Sequence, residues 1–114
     1  MTELHEPTEM IDTHQHLWML SERSYDWIVP EYGVLYGDFG PEDVADHVAE
    51  AGVTGTVLVQ AADTYEDTFY MLSVAASVPN VVGVVAWAPL DRTAEARAAV
   101  DLYAVSPRVK GVRV

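Results

Sequence analysis

With 114 residues, half of them apolar, the chain has enough length for one ordinary domain with a buried core and too much apolar surface to stay disordered. Its 18 acidic against 6 basic side chains leave a formal charge of −12, which repels phosphate backbones and anionic lipid, so neither nucleic acid nor membrane is expected as a partner. The absence of cysteine removes disulfides, zinc–thiolate sites and thiol nucleophiles together, so a metal would have to be held by histidine and carboxylate.

In chain order, residues 1–9 read as an acidic, flexible tail without the basic start and apolar stretch of a secretory signal. No apolar run approaches the roughly 20 residues of a membrane span, and a cytoplasmic location is the default expectation. Met10 to His14 predicts a first strand. Leu17 to Gly40 is a long connection that gathers Trp18, Tyr25, Trp27, Tyr32, Tyr36 and Phe39, and ordered loops of this kind commonly serve as lids or caps. Pro41 to Ala51 predicts a helix, with Pro41 at its first position, Val44, Val48 and Ala51 along one face, and Gly52 ending it.

Gly55 to Gln60 and Val81 to Trp87 are short, β-branched and almost uninterrupted, the pattern of strands covered on both faces of a parallel sheet. Between them Thr64 can cap a helix that holds Glu66 and Asp67 in its first turn and continues through Phe69, Met71, Leu72, Ala75 and Ala76 until Pro79. Thr93 opens a third helix through Ala104, and Lys110 to Val114 predicts a fourth strand. The order βαβαβαβ at regular spacing predicts a parallel α/β fold with no linker or second domain.

The segment Ile11-Asp12-Thr13-His14-Gln15-His16 carries the chemistry. Side chains alternate along a strand, which predicts Asp12, His14 and His16 on one face. Two imidazoles projecting together can ligate zinc or a related divalent ion, and such an ion can make hydroxide from water near neutral pH. A His-x-His pair taken alone also fits an ordinary polar strand end. Gln60, closing the second strand, is placed to meet a substrate hydroxyl or carbonyl, or else to bond the next loop. Trp87, closing the third, is a pocket wall or simple core. Arg113 on the fourth could bind a carboxylate or carbonyl through its planar fork, or be solvated. Trp27 could close over a substrate or pack beneath its own loop.

No role falls to His5, in the tail, or to His47, in a charged helix. Glu42, Asp43, Asp46 and Glu50 read as a solvated helix face, while Asp63, Glu66 and Asp67 suit the positive end of a helix. Gly33, Gly37 and Gly40 lack the strand-to-helix setting of a phosphate-binding loop.

The phrase Met10-Ile11-Asp12-Thr13-His14-Gln15-His16-Leu17-Trp18 resembles the opening strand of the amidohydrolase superfamily, in particular the amidohydrolase-related branch with its fuconolactonase-like sugar-lactone hydrolases. The resemblance continues in order through Asp38-Phe39, Pro41-Glu42-Asp43, Val53 to Ala61, Val82 to Leu90 and Lys110-Gly111-Val112-Arg113. It implies that residues 1–114 form the N-terminal half of a (β/α)₈ TIM barrel, about four parallel strands and three helices, in a barrel that needs about 250 residues.

What the resemblance implies for activity is hydrolysis of a lactone or related cyclic ester or amide by an activated water, with a small sugar-acid lactone as substrate. His14 and His16 are its catalytic and metal-ligating residues, with Trp27, Gln60, Trp87 and Arg113 around the substrate. A divalent metal, zinc first, and a metal-free contact of the histidines with substrate both stay open. A later-strand histidine and the last-strand aspartate that activates water in such enzymes have no counterpart among these residues, so whether the chain is an enzyme by itself stays open too. The alternative is a truncated, non-catalytic α/β module whose exposed strand edges make it a homo-oligomer or the partner of another chain.

Overall fold

The periodicities resolve into strictly alternating elements: β1 (Ile11–Gln15), α1 (Pro41–Glu50), β2 (Gly55–Val59), α2 (Tyr65–Ser77), β3 (Val81–Trp87), α3 (Thr93–Tyr103) and β4 (Val109–Arg113). The computed structural model describes residues 9–114, so the tail expected over 1–9, with His5, falls outside the described residues but for Glu9. The strands form one parallel sheet in the order β1-β2-β3-β4. Each helix returns the chain to the start of the neighbouring strand, which is the winding of half a (β/α)₈ barrel. Inside the long connection, Pro30–Leu35 forms a short 3₁₀ segment that the aromatic pattern did not announce. No helix among the described residues is long and apolar enough to cross a membrane.

Local chemistry sets the boundaries. Pro41 occupies the first turn of α1, and the Asp43 carboxylate accepts from the Gly40 amide at 2.8 Å. Gly52, at φ +76°, ends that helix in a conformation that a side chain with Cβ resists. Thr64 caps α2 as its sequence position predicts, accepting from the Asp67 amide at 3.1 Å. Thr93 is the first residue of α3, which has no side-chain cap.

The main core lies between the sheet and α2, where Leu58, Met71 and Val84, each at most 1% exposed, meet Leu17, Val74, Ala75 and Val81. Burying each of these large side chains contributes about 1.5–3 kcal/mol. A second cluster of Ala86, Ala88, Ala99 and Tyr103 sits under α3, and a third joins Tyr25 and Ile28 of the long connection to Ala61 and Ala62. Met71 and Ala75 are buried as expected, whereas Phe69 and Ala76 of the same helix are exposed, because α2 turns Thr68 and Asp67 inward instead.

Helix α1 is attached differently. It buries no side chain completely, Ala51 is exposed, and a cavity of about 140 Å³ remains between Val44 and Val48 of the helix and Thr56 and Val81 of the sheet. Local opening is favoured where few apolar contacts hold an element. Native-state hydrogen exchange is therefore expected to show α1 amides opening at least about tenfold more often than those of α2, a difference of about 1.4 kcal/mol. Equal protection of the two helices would contradict the loose packing.

Candidate active site

The histidine pair owes its direction to a local irregularity in β1. Asp12 pairs with Thr56 and Gln15 with Leu58, so three steps on β1 oppose two on β2. Paired residues on neighbouring strands share a face, and Leu58 lies in the core beneath α2. Gln15 therefore faces the helix layer, and the flanking His14 and His16 face the opposite, inner side of the sheet. Asp12, paired with Thr56, belongs to the helix side. The expectation that all three share a face is corrected: one extra residue inverts the alternation between Asp12 and the histidines. Asp12 instead accepts from the His14 backbone amide at 3.1 Å, tying the irregular turn together.

His14 and His16 bring their Nε2 atoms to 3.1 Å, with rings edge to face and centroids 4.8 Å apart. The Nδ1 of His16 lies 2.9 Å from the Val59 carbonyl. A carbonyl only accepts, so that nitrogen carries the hydrogen and the neutral ring presents its Nε2 lone pair to the inner side. Backbone anchoring of the far nitrogen is the usual support of a ligating histidine. Two nitrogens 3.1 Å apart can both reach one zinc ion at about 2.0–2.1 Å, so the pair fits a metal. Among the described residues, no cluster of three or more histidine, cysteine, aspartate or glutamate side chains adds further ligands.

Gln60 directly follows β2 and is 5% exposed, with its amide nitrogen donating to the Asp63 carboxylate at 2.9 Å. Trp87 and Arg113 are register partners at the ends of β3 and β4. Their neighbours Ala86 and Val112 pack into the cluster under α3, which turns Trp87 and Arg113 to the inner side. Trp27 arrives from the long connection, which is closed on itself by paired backbone bonds between Trp18 and Phe39 and by Asp38 accepting from Ser21. Its indole nitrogen donates to the Ala61 carbonyl and its ring stands against Trp18 and Tyr32. The structure thus forms a β1–β2 group, His14 and His16 with Val59 and Trp27 with Ala61, and a β3–β4 group, Trp87 with Arg113.

Sequence reasoning missed the residue that ties these loops down. Asp67, read only as a helix-end charge, is 1% exposed and accepts from the Ala61 amide at 2.7 Å and the Ala62 amide at 3.3 Å. Its second oxygen is buried with no partner among the described residues. Burial pushes the carboxyl pKa up, opposed by the two amides. The spacing Thr64-x-x-Asp67 marks a helix start but carries no sign of this reach back to the preceding turn.

The backbone of Trp87 is pinned from both sides. Its amide donates to buried Thr68 at 3.0 Å, and its carbonyl accepts from the Tyr103 hydroxyl at 2.8 Å. Thr68→Val keeps the shape and removes the acceptor, so it is expected to cost about 1–3 kcal/mol by leaving a buried amide unpaired. Urea unfolding measures this, and a loss below about 0.5 kcal/mol would mean that the amide finds another partner.

A parallel β/α half-barrel with two imidazoles converging at the carboxyl end of its first strand is the architecture of the amino-terminal half of a (β/α)₈ barrel, with the pair at the rim where such barrels build their sites. The family model described as amidohydrolase matches residues 11–114, and the chain belongs to that family. It is 40% identical over 106 residues to an L-fucono-1,5-lactonase of Burkholderia ambifaria, covering 93% of this chain and 36% of that protein. An L-fucono-1,5-lactonase of Burkholderia multivorans is 30% identical over 80 residues, covering 70% and 27%. The crystal structure of an amidohydrolase from Burkholderia multivorans with bound zinc superposes with a TM-score of 0.77 at 25% identity, over 93% of this chain and 37% of that one. A second crystal form with bound HEPES gives a TM-score of 0.79 at the same identity, over 93% and 36%. The chain therefore spans between 27% and 37% of the length of these relatives.

Proposed function

We propose that residues 1–114 are the amino-terminal part of a hydrolase that opens a sugar-acid lactone or related cyclic ester by attack of an activated water. The observation that carries this reading is the convergence of His14 and His16 at 3.1 Å with one ring fixed by a backbone carbonyl. Identity to two L-fucono-1,5-lactonases supports the choice of a lactone. A zinc ion held by His14 and His16 would supply Lewis acidity toward the carbonyl and acidify water. The chain's own residues do the rest. The Val59 carbonyl takes the Nδ1 hydrogen of His16 and so turns Nε2 of the neutral tautomer toward the site, and in a metal-free mechanism the pair would contact the lactone directly. Arg113 offers planar donors to a carbonyl or carboxylate, Gln60 a polar amide, and Trp27 and Trp87 apolar walls.

The test is hydrolysis of L-fucono-1,5-lactone by a full-length barrel that carries residues 1–114 as its amino-terminal part, followed by proton release, with zinc added or chelated. Catalysed opening above the spontaneous rate, with zinc shifting the ring-proton NMR signals of His14 and His16, is the expected result. Absence of catalysed opening in every metal state would overturn it.

A second reading, a non-catalytic module that pairs with a copy of itself or another chain, draws on one observation. Both β1 and β4 are unpaired edges among the described residues, and the inner face leaves Val57 and Val85 only half-buried. A dimer without hydrolysis or zinc binding would favour it.

A further inference from the structure

A single peptide unit after β2 joins a buried carboxylate to an aromatic ring at the rim. The N–H of Ala62 and the carbonyl of Ala61 belong to the same planar trans peptide, so they point in opposite directions. The N–H donates to the Asp67 carboxylate at 3.3 Å, and the carbonyl accepts from the indole Nε1 of Trp27. The preceding N–H, that of Ala61, meets the same Asp67 oxygen at 2.7 Å, which resists rotation of the unit about its flanking bonds.

Each end of this relay suits its part. Asp67 is 1% exposed in the first turn of α2, the helix that covers the main core, so the acceptor is held as firmly as the core itself. Trp27 is 45% exposed, so its ring keeps a free face. Close to it in sequence, Tyr25 and Ile28 are buried with Ala61 and Ala62, and the ring itself stands edge to face against Trp18 and Tyr32 at 5.6 and 6.3 Å between centroids. The Val59 carbonyl that orients His16 lies two residues before Ala61, at most about 7 Å of chain away. One short stretch of backbone therefore sets both a histidine of the pair and the Trp27 ring.

We propose that Asp67 is a positioning residue for substrate binding: through the Ala61–Ala62 peptide it aims the Trp27 indole and fixes the ring against which substrate settles beside the histidines. Hydrogen bonds in series polarise one another, so an acceptor on the N–H strengthens the carbonyl's hold on the indole. Without that acceptor the peptide turns more freely, and Trp27 is held only by its neighbours in the long connection. The effect belongs to binding and not to the chemical step, since His16 keeps its own anchor on Val59. The inference rests on the lactone-hydrolase reading for its substrate and on Trp27 as a wall of that site.

The test is made in a full-length barrel that carries residues 1–114, labelled with fluorotryptophan and read by fluorine NMR and by kinetics on L-fucono-1,5-lactone. The Trp27 resonance, identified by its loss in Trp27→Phe, is expected to move in Asp67→Ala and to stay near its wild-type position in Asp67→Asn, which retains an acceptor. KM should rise about threefold to tenfold in Asp67→Ala and in Trp27→Phe, the worth of one hydrogen bond, with kcat within about twofold. The double variant should be no worse than the singles, because both break one relay. Val74→Ala, a truncation in the core beneath α2, is expected to move neither the resonance nor KM, which separates aiming from general destabilisation. A Trp27 resonance unmoved in Asp67→Ala, or KM increases that multiply in the double variant, would overturn the proposal. Should Asp67→Ala not fold, Trp27→Phe is read at the other end of the relay: an Ala62 amide resonance that shifts supports it, and one that stays in place overturns it. A wild-type barrel that opens no lactone would count against the lactone-hydrolase reading, while the Trp27 resonance still decides the relay.

Discussion

Replacing His14 and His16 together with alanine in a full-length barrel that carries this segment is expected to lower lactone opening by about 10³-fold, since electrophilic stabilisation of such a carbonyl supplies several kcal/mol and 1.36 kcal/mol is worth tenfold. The fold should survive the change. Both rings lie on the inner side of β1, away from the core beneath α2, and the one internal bond lost with an anchor is that from His16 to the Val59 carbonyl. Such a bond contributes about 0.5–1.5 kcal/mol. Initial rates and urea unfolding, measured on the same preparations, separate loss of chemistry from loss of structure. The single variants should each approach the double, because two groups that serve one ion or one carbonyl act as a unit. Unchanged hydrolysis in the double variant would remove the histidines from the mechanism.

The second large effect belongs to a residue outside the proposed chemistry. Asp67→Ala is expected to cost about 2–4 kcal/mol of folding stability, because it strips the acceptor from the buried Ala61 and Ala62 amides at about 1–3 kcal/mol each, partly offset by no longer burying a carboxyl. Against a total of about 5–15 kcal/mol this is a large fraction. Asp67→Asn retains an acceptor and should cost less. The loss should reach function as well, since Ala61 holds the Trp27 indole and Gln60 is its neighbour.

The same residue predicts a pH dependence. Burial raises the folded-state pKa of Asp67 above its ordinary 3.8, so folding takes up a proton between the two values. The stability gained this way is complete below the ordinary value and lost as pH rises through the raised one. Wild type should therefore gain stability relative to Asp67→Asn as pH falls from neutral toward about 4. The depressed carboxyls of Asp38 and Glu95 act in the opposite direction but identically in both proteins, so the comparison isolates Asp67. A wild-type advantage that shrinks on acidification would contradict the assignment.

Much of the fold was legible because its signals are local. β-branched runs, Pro41, Gly52 and Thr64 place strands and helix ends within the reach of a few residues, and alternation of strand and helix leaves a parallel sheet as the consistent arrangement. The histidine pair was legible for the same reason, its spacing of two being a strand period. Asp12 was misplaced because one bulge residue in β1 shifts the parity, and a bulge is a property of the pairing with β2, not of the segment itself.

The remaining determinants depend on chain segments far apart in sequence. Nothing near Asp67 reveals that its carboxylate closes the turn at Ala61 and Ala62. Nothing near Trp87 reveals Thr68 and Tyr103 on its backbone. The sequence by itself determined the order of elements, the parallel α/β class and the histidine pair, since these follow from periodicity and backbone preference, while the half-barrel was what the family resemblance implied. Tertiary structure alone decided which face the histidines share and which polar groups hold the rim, because a buried hydrogen bond is chosen by what packing leaves unpaired once the strands have met.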